Sequence, residues 1–362
     1  MNKVSINGID LAKTIFQVHG VDAAGEVALE RRLRRNKVLG FFAEMEPCLI
    51  GMEACATAHY WARELMALGH EVRLMPPIYV KPYVKRQKND AADAAAICEA
   101  VTRPSMRFVP VKTEEMQAAK MLHTSRRLLV DQRTRAINSL RGQLAELGHV
   151  APTGAAGLAQ LVALVTAPAE ESRLPQLARL ALAPLADEIG RLRADIAGLE
   201  RAIREAHRAD ETSRRLQTIP GIGPITASAI LATVPDAAAF RDARHFAAWL
   251  GVVPQQNSTG GKQRLGRITK KGDRYLRTLL VTGATALLRS HGKLSARHRA
   301  WLERLKAKKP ARLVTVALAN KLARIVWALL AKGTRYRGDD EGASAGDTRR
   351  RGVGNTAVAA AV

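Results

Sequence analysis

The spacing of apolar and polar positions changes character near residue 110. Before it, short apolar runs bounded by turn residues predict strands at Val4–Asp10, Thr14–Val21 and Glu26–Leu33, with Asp22-Ala23-Ala24-Gly25 as the second turn. A helix is expected near Asn36–Met45, then a strand from Cys48 that ends at Glu53. A second helix runs from about Thr57 to Leu68 and stops at Gly69, where glycine suits a helix end. Glu71–Met75 reads as a further strand closed by Pro76-Pro77, and an alanine-rich helix follows through Asp90 and Asp93. Three strands in a meander, then strands alternating with helices, is the order of an α/β RNase H-like sheet over residues 1–110.

Beyond this point the period is helical. Thr113–Leu147 reads as one long helix with Leu122, Leu129, Ala136, Leu140 and Leu147 on one seam. Ala151–Pro184 is rich in Ala, Leu and Pro and is expected to be an irregular or short-helical connection. Leu185, Ile189, Leu192, Ile196, Leu199 and Ile203 then alternate spacings of four and three, a heptad seam interleaved with arginines. The two helices suggest an antiparallel coiled-coil arm across 111–215, packed internally or used to dimerise. Residues 216–335 read as a mainly α domain. The Gly- and Ala-rich segment 336–362 is expected to be a disordered tail.

Charge adds a partner to this outline. The 362 residues carry a formal net charge of +24. Residues 1–110 are close to balanced, with 15 basic and 12 acidic residues, whereas Gln255–Arg335 holds 20 basic residues against Asp273 and Glu303. A polyanion surface is therefore expected in the last third, with nucleic acid as its first candidate. No apolar run is expected to reach the roughly 18 residues of a membrane span, and the N-terminus does not read as a signal peptide. Cys48, Cys55 and Cys98 have no CxxC spacing and read as buried small residues in a reducing cytosol. The expected location is cytoplasmic, with the nucleoid.

Three stretches carry candidate chemistry. Asp10 and Glu53 each end a strand, and Asp90 and Asp93 lie three apart on a helix, where they share a face. One such acid alone is ordinarily a solvated charge; the ordered set suits one or two hard cations such as Mg²⁺. Ile219-Pro220-Gly221-Ile222-Gly223-Pro224 precedes an apolar helix over Ile225–Val234 and looks like a helix-hairpin-helix, in which Gly221 and Gly223 would let backbone N–H groups approach a phosphate. The alternative is an ordinary interhelical turn. Pro254–Lys262 reads as a flexible loop with Ser258 and Thr259, followed by Arg264, Arg267, Lys270 and Lys271. A lone serine in such a loop is ordinarily a turn residue, since its hydroxyl needs activation to attack a phosphate.

Together these stretches give a specific resemblance over about residues 3–335. Gly8-Ile9-Asp10-Leu11-Ala12-Lys13, Met52-Glu53-Ala54, Lys88-Asn89-Asp90-Ala91-Ala92-Asp93-Ala94, Ile219–Gly223, Asn257–Lys262 and Gly266–Gly272 resemble the DEDD-type insertion-sequence transposases. That group is related to Piv-type DNA invertases and is described as bridge-RNA-guided recombinases. The resemblance implies a RuvC-like domain whose acids, here Asp10, Glu53, Asp90 and Asp93, bind Mg²⁺. It implies a C-terminal domain whose serine forms a covalent phosphoserine bond to DNA. Ser258 is the serine of the loop, and Thr259 is a neighbouring hydroxyl. Lys262, Arg264, Arg267, Lys270 and Lys271 would face DNA. The partners implied are element ends, target DNA and a noncoding guide RNA. Arg126, Arg127, Arg133, Arg135 and Arg141 on the first long helix are candidates to hold that RNA, and a solvated basic helix face is the equal alternative. Two DNA ends and two targets suggest a homodimer or homotetramer.

Three rivals share parts of the pattern. A RuvC-like junction nuclease that hydrolyses DNA needs the four acids and no serine. An actin-like kinase or ATPase shares Gly8-Ile9-Asp10-Leu11 but needs further glycine-rich nucleotide loops, and the charge is out of character for it. A non-catalytic DNA-binding protein would ignore Mg²⁺ and leave DNA uncut.

Overall fold

The alternation in the first hundred residues produces five strands: β1 (Ile6–Asp10), β2 (Ile15–Val21), β3 (Val27–Arg34), β4 (Leu49–Glu53) and β5 (Glu71–Met75). The sheet order is β3-β2-β1-β4-β5. The meander is antiparallel, and β1, β4 and β5 run parallel to one another. β1 and β4 lie at the centre and bury their middle residues, whereas β3 is an edge strand that exposes charged residues, a device that discourages edge pairing. This is the RNase H-like mixed sheet expected from the sequence.

The computed structural model describes residues 3–85, 89–170, 173–290 and 295–336; the expected tail at 336–362 therefore lies, but for its first residue, outside them. The chain divides into two compact units, the first comprising Met1–Ala118 with Val234–Ala239, and the second the remainder. The arm and the helical domain expected from the sequence both fall mainly in the second unit.

Helices α1 (Val38–Ala43), α2 (Ala58–Ala67), α3 (Pro77–Val80) and α4 (Asp90–Val101) complete the first unit. Its main core gathers Ile9, Phe16, Val18, Phe42, Ile50, Met52, Trp61 and Leu65, all nearly or fully removed from water. A second cluster seats α4 against the sheet through Met75, Ile97, Ala100 and Val101. Two glycines set how closely α4 docks. A Cβ at Gly8 would overlap the Ala94 carbonyl oxygen and the Cys98 amide nitrogen, and one at Gly51 would lie 2.8 Å from the Val101 Cβ. At Gly8 helix backbone therefore lies directly on strand backbone, and at Gly51 the Val101 side chain does, contacts that residues without a side chain permit. Cys48 and Cys98 are buried as expected, but Cys55 is exposed, because it follows the end of β4 where the chain leaves the sheet.

The second unit is built on α5 (Glu114–Glu146, from Ala119 on), α6 (Ala155–Thr166) and α7 (Gln176–Ala209). The expected connection over 151–184 is only partly irregular. It contains α6, and its last nine residues already belong to α7, which runs through Pro184. Packing outweighs the lost hydrogen bond there, since Leu182 and Ala186 on either side are buried in one cluster with Leu140, Leu144, Leu161 and Val165. The α5 seam likewise ends on buried Leu144, and Leu147 is exposed beyond the helix end. Arg126 donates to Glu200 Oε1 from Nε (3.0 Å) and Nη2 (2.6 Å), tying α5 to α7.

The rest of the second unit comprises α8 (Glu211–Gln217), α9 (Pro224–Thr233), α10 (Ala243–Trp249), a hairpin of β6 (Pro254–Gln256) and β7 (Leu265–Ile268), α11 (Arg274–Arg289), α12 (Ala296–Lys306) and α13 (Ala311–Lys332). α13 corrects the expectation about apolar runs, since it is long and apolar enough to cross a membrane. Here Val314, Leu318, Leu322 and Val326 are buried along one side, four residues apart, so the helix serves as a core element of this unit.

Candidate functional site

Parallel pairing puts two acids side by side. Ile9 lies opposite Met52, so Asp10 and Glu53 end adjacent central strands at the same sheet edge, where α/β sheets commonly bind ligands. Asn89 starts α4 by accepting from Ala91 N (2.7 Å) and Ala92 N (3.1 Å). This cap places Asp90 and Asp93 in the first turn, where the helix dipole favours negative charge. With α4 seated on Gly8, carboxylate oxygens of Asp10, Asp90 and Asp93 lie within 4.8 Å of one another. Glu53 shares their field: burial raises its pKa, and the charges of Asp10 and Asp93 raise it further. Such repulsion makes the cluster a poor place for four anions alone and a suitable one for a divalent cation, which prefers oxygen ligands. Thr57, three residues beyond Ala54, takes a left-handed backbone (φ 71°) that β-branched residues rarely adopt.

The serine segment, expected as a flexible loop, is an ordered two-stranded ribbon. Its tip is a two-residue turn in which Lys262 N donates to Thr259 O (3.0 Å) and Gly260 and Gly261 have positive φ of 54° and 73°. Glycines meet that demand without strain, and the turn's twist matches the strands. Ser258 is exposed, and its Oγ accepts from Gln256 Nε2 (3.1 Å) and Arg264 N (3.2 Å). Both bonds use lone pairs, which orients the hydroxyl and leaves its proton directed elsewhere. Lys262, Arg264, Arg267, Lys270 and Lys271 are all exposed along or just after the ribbon. Its base is fixed by Thr269 N to Val253 O (2.9 Å) and by Arg277 Nη1, which donates to Leu250 O (2.9 Å) and Lys271 O (3.2 Å).

At the helix-hairpin-helix, Gly221 has φ 84°, and a Cβ there would lie 2.7 Å from Leu287 Cδ1. Packing on α11 thus explains this glycine without any phosphate. Gly223 faces open space immediately before α9 and remains available for a close backbone approach.

Residues 7–149 match the DEDD transposase family of IS110, and residues 213–299 match the transposase IS116/IS110/IS902 family. The chain is 53% identical to a probable family 20 transposase of Pseudomonas aeruginosa, over 91% of this chain and 98% of that protein. It is 42% identical to the transposase for insertion sequence element IS1328 of Yersinia enterocolitica (93% and 99% covered) and 39% identical to that for IS1111A of Coxiella burnetii (93% and 92%).

The chain belongs to the IS110 family of DEDD transposases. It is accordingly a DNA-processing enzyme of an insertion sequence, and DNA is among its partners. In this transposase Asp10, Asp90 and Asp93 form one acidic cluster with Glu53 in its field, whereas Ser258 and its basic neighbours sit in the other unit. Of the arginines expected to hold RNA, Arg126 is engaged with Glu200, and Arg141 donates to Ala151 O (3.0 Å) and Pro152 O (2.9 Å). Sequence reasoning did not single out Asn89 as the cap, nor Gly8 and Gly51 as the seats of α4. The Asn-Asp-Ala-Ala-Asp spacing held the first signal, and glycines inside strands, which often mark a close backbone approach, held the second.

Proposed function

We propose that this transposase cuts and rejoins DNA through a phosphoserine intermediate at Ser258, with Mg²⁺ held by Asp10, Glu53, Asp90 and Asp93. The observation that carries the reading is the Ser258 hydroxyl, presented on an exposed ribbon, oriented by two donors and surrounded by cations. When bound, the cation supplies Lewis-acid charge to the scissile phosphate. Ser258 Oγ attacks phosphorus and loses its proton to solvent, while the bond to the leaving nucleoside oxygen breaks and that oxygen takes a proton. Lys262, Arg264, Arg267, Lys270 and Lys271 offset the charge that accumulates on the phosphoryl oxygens. A hydroxyl of the partner strand then attacks the phosphoserine, restores a phosphodiester and releases Ser258. One bond forms as one breaks at each step, so no nucleotide triphosphate is consumed.

Sequence choice in this reading comes from an element-encoded RNA that pairs with donor and target DNA, while the protein reads backbone and shape. Arg127, Arg133 and Arg135 on α5 are the candidates for holding it, with Arg135 exposed. Two ends and two targets call for a dimer or tetramer. No histidine or carboxylate hydrogen-bonds Ser258 among the described residues, which favours hydrolysis by the acidic cluster alone as the second reading.

An adduct assay separates the two. The chain, co-expressed with its flanking element DNA, is mixed with labelled element junctions and Mg²⁺ and run in SDS. An SDS-resistant protein–DNA species that disappears in Ser258→Ala and in Asp10→Asn supports the phosphoserine. Loss in Thr259→Ala with Ser258→Ala intact moves the nucleophile by one residue. Cleavage that survives Ser258→Ala with no adduct makes the enzyme a nuclease.

A further inference from the structure

A cavity of about 160 Å³ opens within the second unit where α5, the end of α9 and the start of α11 meet. At roughly 30 Å³ per water it holds about five waters, which is room for one phosphate group with part of its hydration. Lys120, Arg127 and Arg274 bring three positive charges to its wall, against the single carboxylate of Asp273. That carboxylate is already committed, since it caps α11 at Leu276 N (2.9 Å) and accepts from Lys120 Nζ (3.1 Å). Among the described residues the one ion pair of Arg127 is a loose contact to Asp131 at 3.9 Å, and Arg274 has none.

The floor of the cavity is polar and built. His123 is 3% exposed and lies between Tyr275 Oη (3.3 Å from Nδ1) and Ser228 Oγ (3.0 Å from Nε2). Burial, then the charges of Arg126 and Lys120, push its pKa down to about 4, so it adds no charge and the surplus comes from the wall. The cavity also adjoins the ribbon along the chain. Lys270-Lys271-Gly272 runs straight from β7 into Asp273, Arg274 and Tyr275.

We propose that this cavity binds one backbone phosphate of the DNA on which the ribbon acts, with Arg127 and Arg274 as its principal contacts and Lys120 shared with Asp273. The inference rests on the reading of the ribbon as a DNA-binding element. It moves Arg127 from the RNA-holding set to the DNA-holding set. A concave pocket with converging cations takes one phosphate and fixes the register of the duplex, which exposed lysines on a ribbon do not.

The test measures binding of the full chain to a labelled element-end duplex between 50 and 200 mM salt, for wild type, Arg127→Gln, Arg274→Gln and Arg274→Lys. The ribbon variants Lys262→Gln and Arg267→Gln run in parallel, with circular dichroism to confirm folding. Each cavity glutamine variant should weaken binding about fivefold and reduce the salt slope by about one, and Arg274→Lys should keep most of the affinity. A methylphosphonate placed at successive positions should find one phosphate whose neutralisation weakens wild type but not Arg127→Gln. Cavity variants that bind like wild type, while ribbon variants weaken, overturn the cavity site and leave the ribbon reading intact. Weakened cavity variants beside unchanged ribbon variants sink the ribbon reading and, with it, the proposal as stated, leaving a phosphate contact independent of the ribbon. A loss seen with single-stranded RNA and absent with DNA overturns the proposal.

Discussion

At the scale of single residues, two ionisable groups report the sign of the field around them. Glu53 has a raised pKa because burial and then two neighbouring carboxylates disfavour its charge, which marks a place that favours a cation. His123 has a lowered pKa because burial and then two neighbouring cations disfavour its charge. The His123 shift has a consequence for stability. An unfolded histidine titrates near 6.5, and this one titrates near 4 when folded. Between those values the unfolded state binds more protons, so the group's contribution is complete above pH 6.5 and is lost as pH falls toward 4. The loss is of the order of 3 kcal/mol. Denaturant titrations followed by a probe in the second unit should show this decline, and His123→Gln should flatten it. A wild type whose stability is level across that window would contradict the burial argument. The four acids were legible in the sequence because strand ends and an i, i+3 pair are visible in spacing. The His123 network was not, because Ser228 and Tyr275 lie more than a hundred residues away along the chain.

At the scale of elements, the acidic cluster depends on how α4 meets the sheet. Gly51 meets only side chains, so the fit turns mainly on Gly8, where any side chain would collide with helix backbone that cannot move aside. Gly8→Ala should therefore destabilise the first unit by about 1–3 kcal/mol or more and weaken cation binding, since the helix that shifts carries Asp90 and Asp93. Gly40 in α1 has open space where its Cβ would be, so Gly40→Ala should be neutral or stabilising by up to about 1 kcal/mol. Equal effects at the two positions, read by chemical denaturation, would mean that docking does not explain Gly8. Elements with local signals were readable: all five strands of the sheet were expected, with no end shifted by more than two residues. Where tertiary packing overrides local preference, the sequence misleads. Pro184 reads as a helix breaker and sits inside α7, and a segment rich in Gly, Ser and Thr becomes a ribbon because the Gly260-Gly261 turn lets its flanks pair.

At the scale of the whole molecule, function is divided by charge. The acidic cluster belongs to the first unit, whose residues 1–110 are nearly neutral, and the 20 basic residues of Gln255–Arg335 belong to the second. A ligand that binds only the folded form of one unit stabilises that unit by RT ln(1 + [L]/Kd), about 2.7 kcal/mol at a hundredfold excess over Kd. Chains with two folding units need not melt as one transition. Calorimetry with and without Mg²⁺ should therefore show a shift of several degrees confined to the transition that carries the first unit. Asp93→Asn gives the sharper form of the experiment. Removing one carboxylate relieves part of the repulsion that, after burial, raises the Glu53 pKa, which offsets the helix-dipole interaction lost, so the metal-free variant should melt no lower than metal-free wild type. It also removes a ligand, so Mg²⁺ should add little further. A variant that melts lower without metal and still responds fully to Mg²⁺ would show that the cluster is held by interactions other than those of a cation site, and would detach the acids from the chemistry assigned to them.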